Sequence, residues 1–226
     1  MSTATLDTSE SVAQYAALID KLPEDSMLVL HGVPWEDYEG LLETIGEAKR
    51  FRISYDNGRL QIMTTSAKHE NYAMFFNRLM NVISLQLRIN IRFFGTATMK
   101  KSKVEKGNEP DACFYVQRVA LIGNKIDLDF EQDPAPDIAV EVDVHHESLS
   151  KLPIYAALDV PEVWHYDGEV VTIYQLFEGE YVKSENSQAL PLLTSSVLTD
   201  FLSRYRQHGE FETLVAFEGW VQGRAN

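Results

Sequence analysis

The chain has 226 residues, 45% of them apolar and 24% charged, and a formal net charge of −14. That is the composition of an ordinary globular chain long enough for one core with extensions, and it contains no apolar run of membrane-spanning length. The acidic excess argues against strong non-specific binding to nucleic acid, whose affinity comes largely from Lys and Arg neutralising phosphates.

Residues 8–20 read as a short helix, with Val12, Tyr15, Ala16 and Leu18 as its apolar positions. Residues 27–33 suit a strand, and Pro34 suits the first turn of a helix reaching about residue 48. Residues 51–63 form a predicted hairpin in which Asn57-Gly58 supplies the positive φ angles of a tight turn. Ser66 caps a long helix to about residue 88, its inward face carrying Tyr72, Phe75, Phe76, Leu79, Ile83 and Leu87. A strand at 91–98, a lysine-rich loop and a strand at 111–116 follow, then a connection with a short strand at 125–130. Next come a strand at 137–144, helical spacing over 148–158, strands at 162–167 and 170–177, a turn at Gly179, and helices at 198–206 and 211–222. Cys113, the only cysteine, lies in an apolar run and reads as a core residue. With no disulfide partner for it, and no basic, apolar leader at the start, a cytoplasmic location is expected.

Two acidic segments stand out, Glu109-Pro110-Asp111 and Glu141-Val142-Asp143. Side chains of a strand alternate faces, so Asp137, Ala139, Glu141 and Asp143 share one face of the 137–144 strand. Ile138, Val140, Val142 and Val144 take the other, and a strand so rich in β-branched residues belongs inside a sheet. Carboxylates two residues apart repel there unless something positive lies between them. A divalent cation is the simplest candidate, since Mg²⁺ uses one or two carboxylates with waters and a phosphate oxygen.

Asp111, then Glu141 with an acid two residues on, then Lys151 in a helix, resembles the PD-(D/E)xK nuclease superfamily. More narrowly the chain resembles the Uma family of "putative restriction endonucleases". The resemblance runs through residues 55–63, His69-Glu70, 109–111, 136–143, 151–164 and 166–168. It implies an α/β fold with a restriction-endonuclease-like mixed central β-sheet flanked by helices. The nuclease-like core is expected at 51–185, with residues 1–50 and 186–226 as helical extensions of the same domain.

The function implied is metal-dependent hydrolysis of DNA phosphodiester bonds. Asp111 and Glu141 would hold Mg²⁺ or Mn²⁺, with the Val142 carbonyl as a further ligand. The superfamily places its lysine where this chain has Asp143; Uma members supply it from the following helix, which Lys151 matches. Asp143 is therefore expected at a second ion or behind the first. His69 aligns with a characteristic histidine, and a site role explains it better than the helix start does, because that end of a helix disfavours a cation. Glu70 suits the helix dipole, and Glu109 would share a face with Asp111. His145 and His146 point opposite ways at a strand exit, so at most one could ligate. Lys100, Lys101, Lys103 and Lys106 could seat a phosphate backbone, or simply be a solvated hairpin loop. Enzymes of this kind often cut both strands as homodimers. The alternatives are an inactive module of the same fold, supported by the acidic balance and Asp143, and a hydrolase of small phosphoesters.

Overall fold

The computed structural model describes residues 8–46, 51–144 and 151–224. In chain order these form α1 (Thr8–Ile19), β1 (Met27–His31), α2 (Trp35–Ile45), β2 (Phe51–Asp56), β3 (Arg59–Thr64) and α3 (Ala67–Leu87). Then come β4 (Arg92–Phe93), β5 (Met99–Lys101), a 3₁₀ turn (Ser102–Val104), β6 (Lys106–Asn108), β7 (Ala112–Tyr115) and α4 (Val119–Ile122). The chain continues with β8 (Ile138–Val142), α5 (Leu152–Ala157), β9 (Glu162–Tyr166), β10 (Val171–Phe177), β11 (Glu180–Ser184), α6 (Ser195–His208) and α7 (Glu210–Gln222).

The strands make two sheets, one in the order β1-β3-β2-β6-β5 and one in the order β11-β10-β9-β8-β7-β4. In the larger sheet β8 and β9 run parallel, joined through α5, while the other neighbours are antiparallel. The expected mixed sheet flanked by helices is therefore present, with a second sheet beside it. Asn57 (φ 45°) and Gly58 (φ 85°) turn the β2–β3 hairpin as expected. Ser66 Oγ accepts from the His69 amide at 3.4 Å, capping α3.

Alternation along β8 decides what each face meets. Ile138, Val140 and Val142 pack in one core with Tyr72, Phe75, Phe76, Leu79 and Ile83 of α3, joined by Phe201 and Phe217 of the last two helices. Ala139 faces the other way, into a core with Ile154, Tyr155, Leu158 and Val163. A third core lies between α1, α2 and the smaller sheet, where Tyr38 and Tyr55 stack with ring centroids 4.7 Å apart. Gly107 is required there: a Cβ at that position would lie 2.1 Å from Tyr38 Oη.

Three elements differ from the sequence expectation. The strand at 91–98 is only Arg92–Phe93, because the chain turns at Gly95 (φ 56°). The lysine segment is the β5–β6 hairpin, with Lys100, Lys101 and Lys106 in its paired strands rather than in the connecting loop. Residues 125–130 form no strand: Asp129 Oδ1 accepts from the Glu131 amide at 3.1 Å and Asp133 Oδ2 from the Asp129 amide at 3.0 Å, so side chains hold the backbone in a turn. His145, His146 and the start of the helix expected from 148 lie outside the described residues. Among the described residues no helix is long and apolar enough to cross a membrane.

Candidate functional site

The two sheets meet around a buried polar cluster. Arg52 enters from β2 and Asn108 from the end of β6; Asp111 immediately precedes β7, and Glu141 lies in β8. His69 and Glu70 come from the first turn of α3, while Lys151 caps α5 and Tyr155 lies within it. Backbone pairing sets the placement of the acids. Asp111 N donates to the Val140 carbonyl at 3.0 Å, which brings the Asp111 side chain beside the next rung of β8, where Oδ2 accepts from Val142 N at 2.7 Å. The N–H and C=O of one strand residue point to the same edge, so the Val142 carbonyl opens to the Asp111 side.

Asp111 is held by charge as well. Arg52 Nε donates to its Oδ1 at 3.0 Å, and Arg52 Nη2 reaches Glu70 Oε1 at 2.6 Å. His69 Nε2 lies 3.1 Å from Asp111 Oδ2, within ion-pair range but off the line of a hydrogen bond. Burial alone would raise the Asp111 pKa, but His69, Lys151 and Arg52 outweigh it and hold the carboxyl at about 2. Burial likewise opposes charging His69, and Asp111 overrides it, raising the imidazole to about 9. A protonated histidine at a helix start is thus accounted for by its carboxylate neighbour.

Glu141 has a different environment. Its Oε2 accepts from Lys151 Nζ at 2.7 Å, and its Oε1 accepts from Tyr155 Oη and from Asn108 Nδ2, the latter at 3.1 Å. Burial pushes its pKa up; Lys151 opposes that shift, and Asp111 and Asp143 add to it. For Lys151, burial favours the neutral amine, yet the carboxylates of Glu141 and Asp111 hold its pKa above the ordinary value. The positive charge expected between the acids is supplied in this structure by Lys151, Arg52 and His69.

Asp143 points to β9, where its Oδ2 meets His165 Nε2 at 2.7 Å. Glu109 is tied to the smaller sheet, with Oε2 accepting from Ile53 N at 3.0 Å and Oε1 from Thr98 Oγ1 at 2.7 Å. Lys100 pairs with Glu39 and Lys101 with Asp159 at 2.8 Å, while Lys106 pairs with Asp56. Among the described residues Lys103 is exposed without an ion-pair partner, so most of that segment's charge is already matched.

The donor set suits one hard cation. A carboxylate offers about four acceptor positions. Asp111 Oδ1 carries one donor, and Glu141 Oε2 carries one, so each keeps a position for an ion. Among the described residues no three His, Cys, Asp or Glu side chains converge as a ready-made cage. One or two carboxylates is how Mg²⁺ is usually held, the rest being waters and substrate oxygens, and the Val142 carbonyl lies beside this pair.

Four residues of the cluster escape a reading of the sequence: Arg52, Asn108, Tyr155 and His165. One signal existed for Arg52, since 51–56 alternates apolar and polar and puts Arg52 on the polar face. Tyr155 lies four residues after Lys151, so helical spacing puts both on one face of α5; Asn108 and His165 depend on strand neighbours that no local pattern specifies.

A profile of the Uma2 family, described as "Putative restriction endonuclease", matches residues 35–203. Among solved structures, a similar chain is a "putative nuclease belonging to DUF820" from Anabaena variabilis, 17% identical, with a TM-score of 0.45. The alignment covers 66% of this chain and 90% of that one. No curated protein matches.

Proposed function

The chain belongs to the Uma2 family, and from that premise we propose that it is a divalent-metal-dependent endonuclease hydrolysing phosphodiester bonds of DNA. One observation carries the reading: Asp111, Glu141 and Lys151, from two adjacent strands and the crossover helix, share one buried, charge-coupled cluster. Asp111 and Glu141 are the carboxylates for the ion, with the Val142 carbonyl beside them. When bound, Mg²⁺ or Mn²⁺ would polarise a phosphoryl oxygen and lower the pKa of a water.

Each side chain then has a part. A carboxyl held at about 2 keeps Asp111 anionic at every working pH. His69, with a pKa of about 9, stays cationic at neutral pH and is suited to hold a phosphate oxygen. Lys151 opposes the upward push that burial gives the Glu141 carboxyl, and its ammonium would offset charge developing on the phosphorane oxygens. Cutting both strands takes two such sites, so a homodimer belongs to the same reading. The test is Mg²⁺- or Mn²⁺-dependent cleavage of duplex and single-stranded DNA, with Asp111→Ala as control. Cleavage that persists in the variant would sink the assignment.

A second reading, an inactive module of the same fold, has one observation in its favour. The cleft beside His69 and Asp143, also lined by Asp25, Met63, Thr64 and Val144, holds only about 10 Å³, room for one water. DNA binding or partner capture with no cleavage under any metal would favour that reading.

A further inference from the structure

Asn108 is wholly buried, yet one of its polar atoms has no partner. Its Nδ2 donates to Glu141 Oε1 at 3.1 Å and to Tyr155 Oη at 2.6 Å, using both hydrogens. Its Oδ1 meets no donor. Turning the amide over would only press Oδ1 against the Glu141 carboxylate, so the orientation is fixed by charge. A buried carbonyl oxygen without a donor bears its full desolvation cost unless something positive or a water fills the gap. Nδ2 sits on the Glu141 carboxylate, so Oδ1 of the same amide lies beside that carboxylate, whose Oε2 keeps a position for an ion.

We propose that Asn108 Oδ1 is a further protein oxygen for the cation held by Asp111 and Glu141. The inference rests on the metal-dependent reading above and deepens it. The smaller sheet thereby contributes a neutral donor to a site whose acids lie on the larger one. A neutral oxygen adds coordination without adding to the repulsion among Asp111, Glu141 and Asp143. It also explains why a polar side chain with an unmet acceptor is tolerated between two sheets.

Two variants separate ligation from support. Asn108→Leu, close in volume, removes a donor to Glu141 Oε1 together with the orphan oxygen. Tyr155→Phe removes the other donor to the same Glu141 oxygen, and one acceptor of Asn108 Nδ2, while keeping the Asn108 carbonyl oxygen. Freeing Glu141 of a donor should by itself leave Mn²⁺ affinity unchanged or tighter. Titration calorimetry with Mn²⁺ alone should show Asn108→Leu at least tenfold weaker than wild type and Tyr155→Phe no weaker. An Asn108→Leu affinity within twofold of wild type, or tighter, overturns the inference while leaving the metal reading intact. Wild-type Mn²⁺ binding that is absent, or that survives Asp111→Ala, removes both. Should Asn108→Leu fail to fold, wild-type protein labelled with ¹³C at asparagine Cγ decides the matter. Electron–nuclear double resonance of bound Mn²⁺ should show a ligand-range coupling, and its absence overturns the inference.

Discussion

His69→Gln isolates the charge of the His69–Asp111 pair, because glutamine keeps a donor of similar reach and never titrates. The imidazole pKa stands at about 9 against 6.5 for the free side chain. A group whose pKa is raised on folding adds stability fully below its unfolded value and loses it as pH rises through the folded one. Each pKa unit is about 1.36 kcal/mol, so the limiting contribution is about 3.4 kcal/mol. Linkage gives about 3 kcal/mol at pH 6.5, about 2 at pH 7.5 and about 0.2 at pH 9.5. The Asp111 carboxyl, held at about 2 against 3.8, moves in the matching direction, but Lys151 and Arg52 share in lowering it, so the His69 shift is the one that measures what His69→Gln removes. Urea unfolding followed by circular dichroism at those three pH values gives the wild-type and variant stabilities. Their difference should shrink by about 2–3 kcal/mol from pH 6.5 to 9.5. A gap that stays flat, or widens with pH, would show that Asp111 does not hold His69 protonated.

Lys151→Ala leaves Glu141 buried without its ammonium, so it should cost about 3–5 kcal/mol in chemical denaturation at pH 7 and slow DNA cleavage while leaving DNA binding nearly intact. Mn²⁺ at a hundred times its dissociation constant should stabilise the fold by about 2.7 kcal/mol, roughly 5–10 °C in a thermal melt for a chain of this size. That shift should vanish in Glu141→Ala; equal shifts in both proteins would put the ion elsewhere. Reversing Lys101 and Lys103 to Glu should weaken DNA binding and reduce the log–log salt slope by about 1.8 if both contact phosphates. An unchanged slope would free the β5–β6 hairpin of any nucleic-acid role.

Local pattern was enough to place the larger sheet's centre. The alternation of β8 correctly separates Glu141 from the valines that pack on α3, and Ser66 and Asn57-Gly58 mark the turns on either side of the β3 strand. The order Asp111, Glu141, Lys151 was legible because the resemblance fixes it. Division into two sheets was not, since it depends on β6 pairing with β2 across some fifty residues rather than on anything within either strand. Arg52 and Asn108 acquire their partners only through that division, and His165 meets Asp143 only through the parallel pairing of β8 with β9. The failed strand at 125–130 has a chemical cause: its alternation is real, but aspartate side chains compete for the backbone donors a sheet would need.

Because Arg52 and Asn108 reach the acids from the opposite sheet, no fragment beginning near the acidic motifs can rebuild the cluster. A piece starting at residue 110 would keep Asp111, Glu141 and Lys151 in sequence, yet strip the guanidinium from one carboxylate and the amide from the other. It would also lack the helix that carries His69. The short motif by which the chain is recognised and the polar cluster it enters thus have different minimal lengths, the second taking in both hairpins of the smaller sheet.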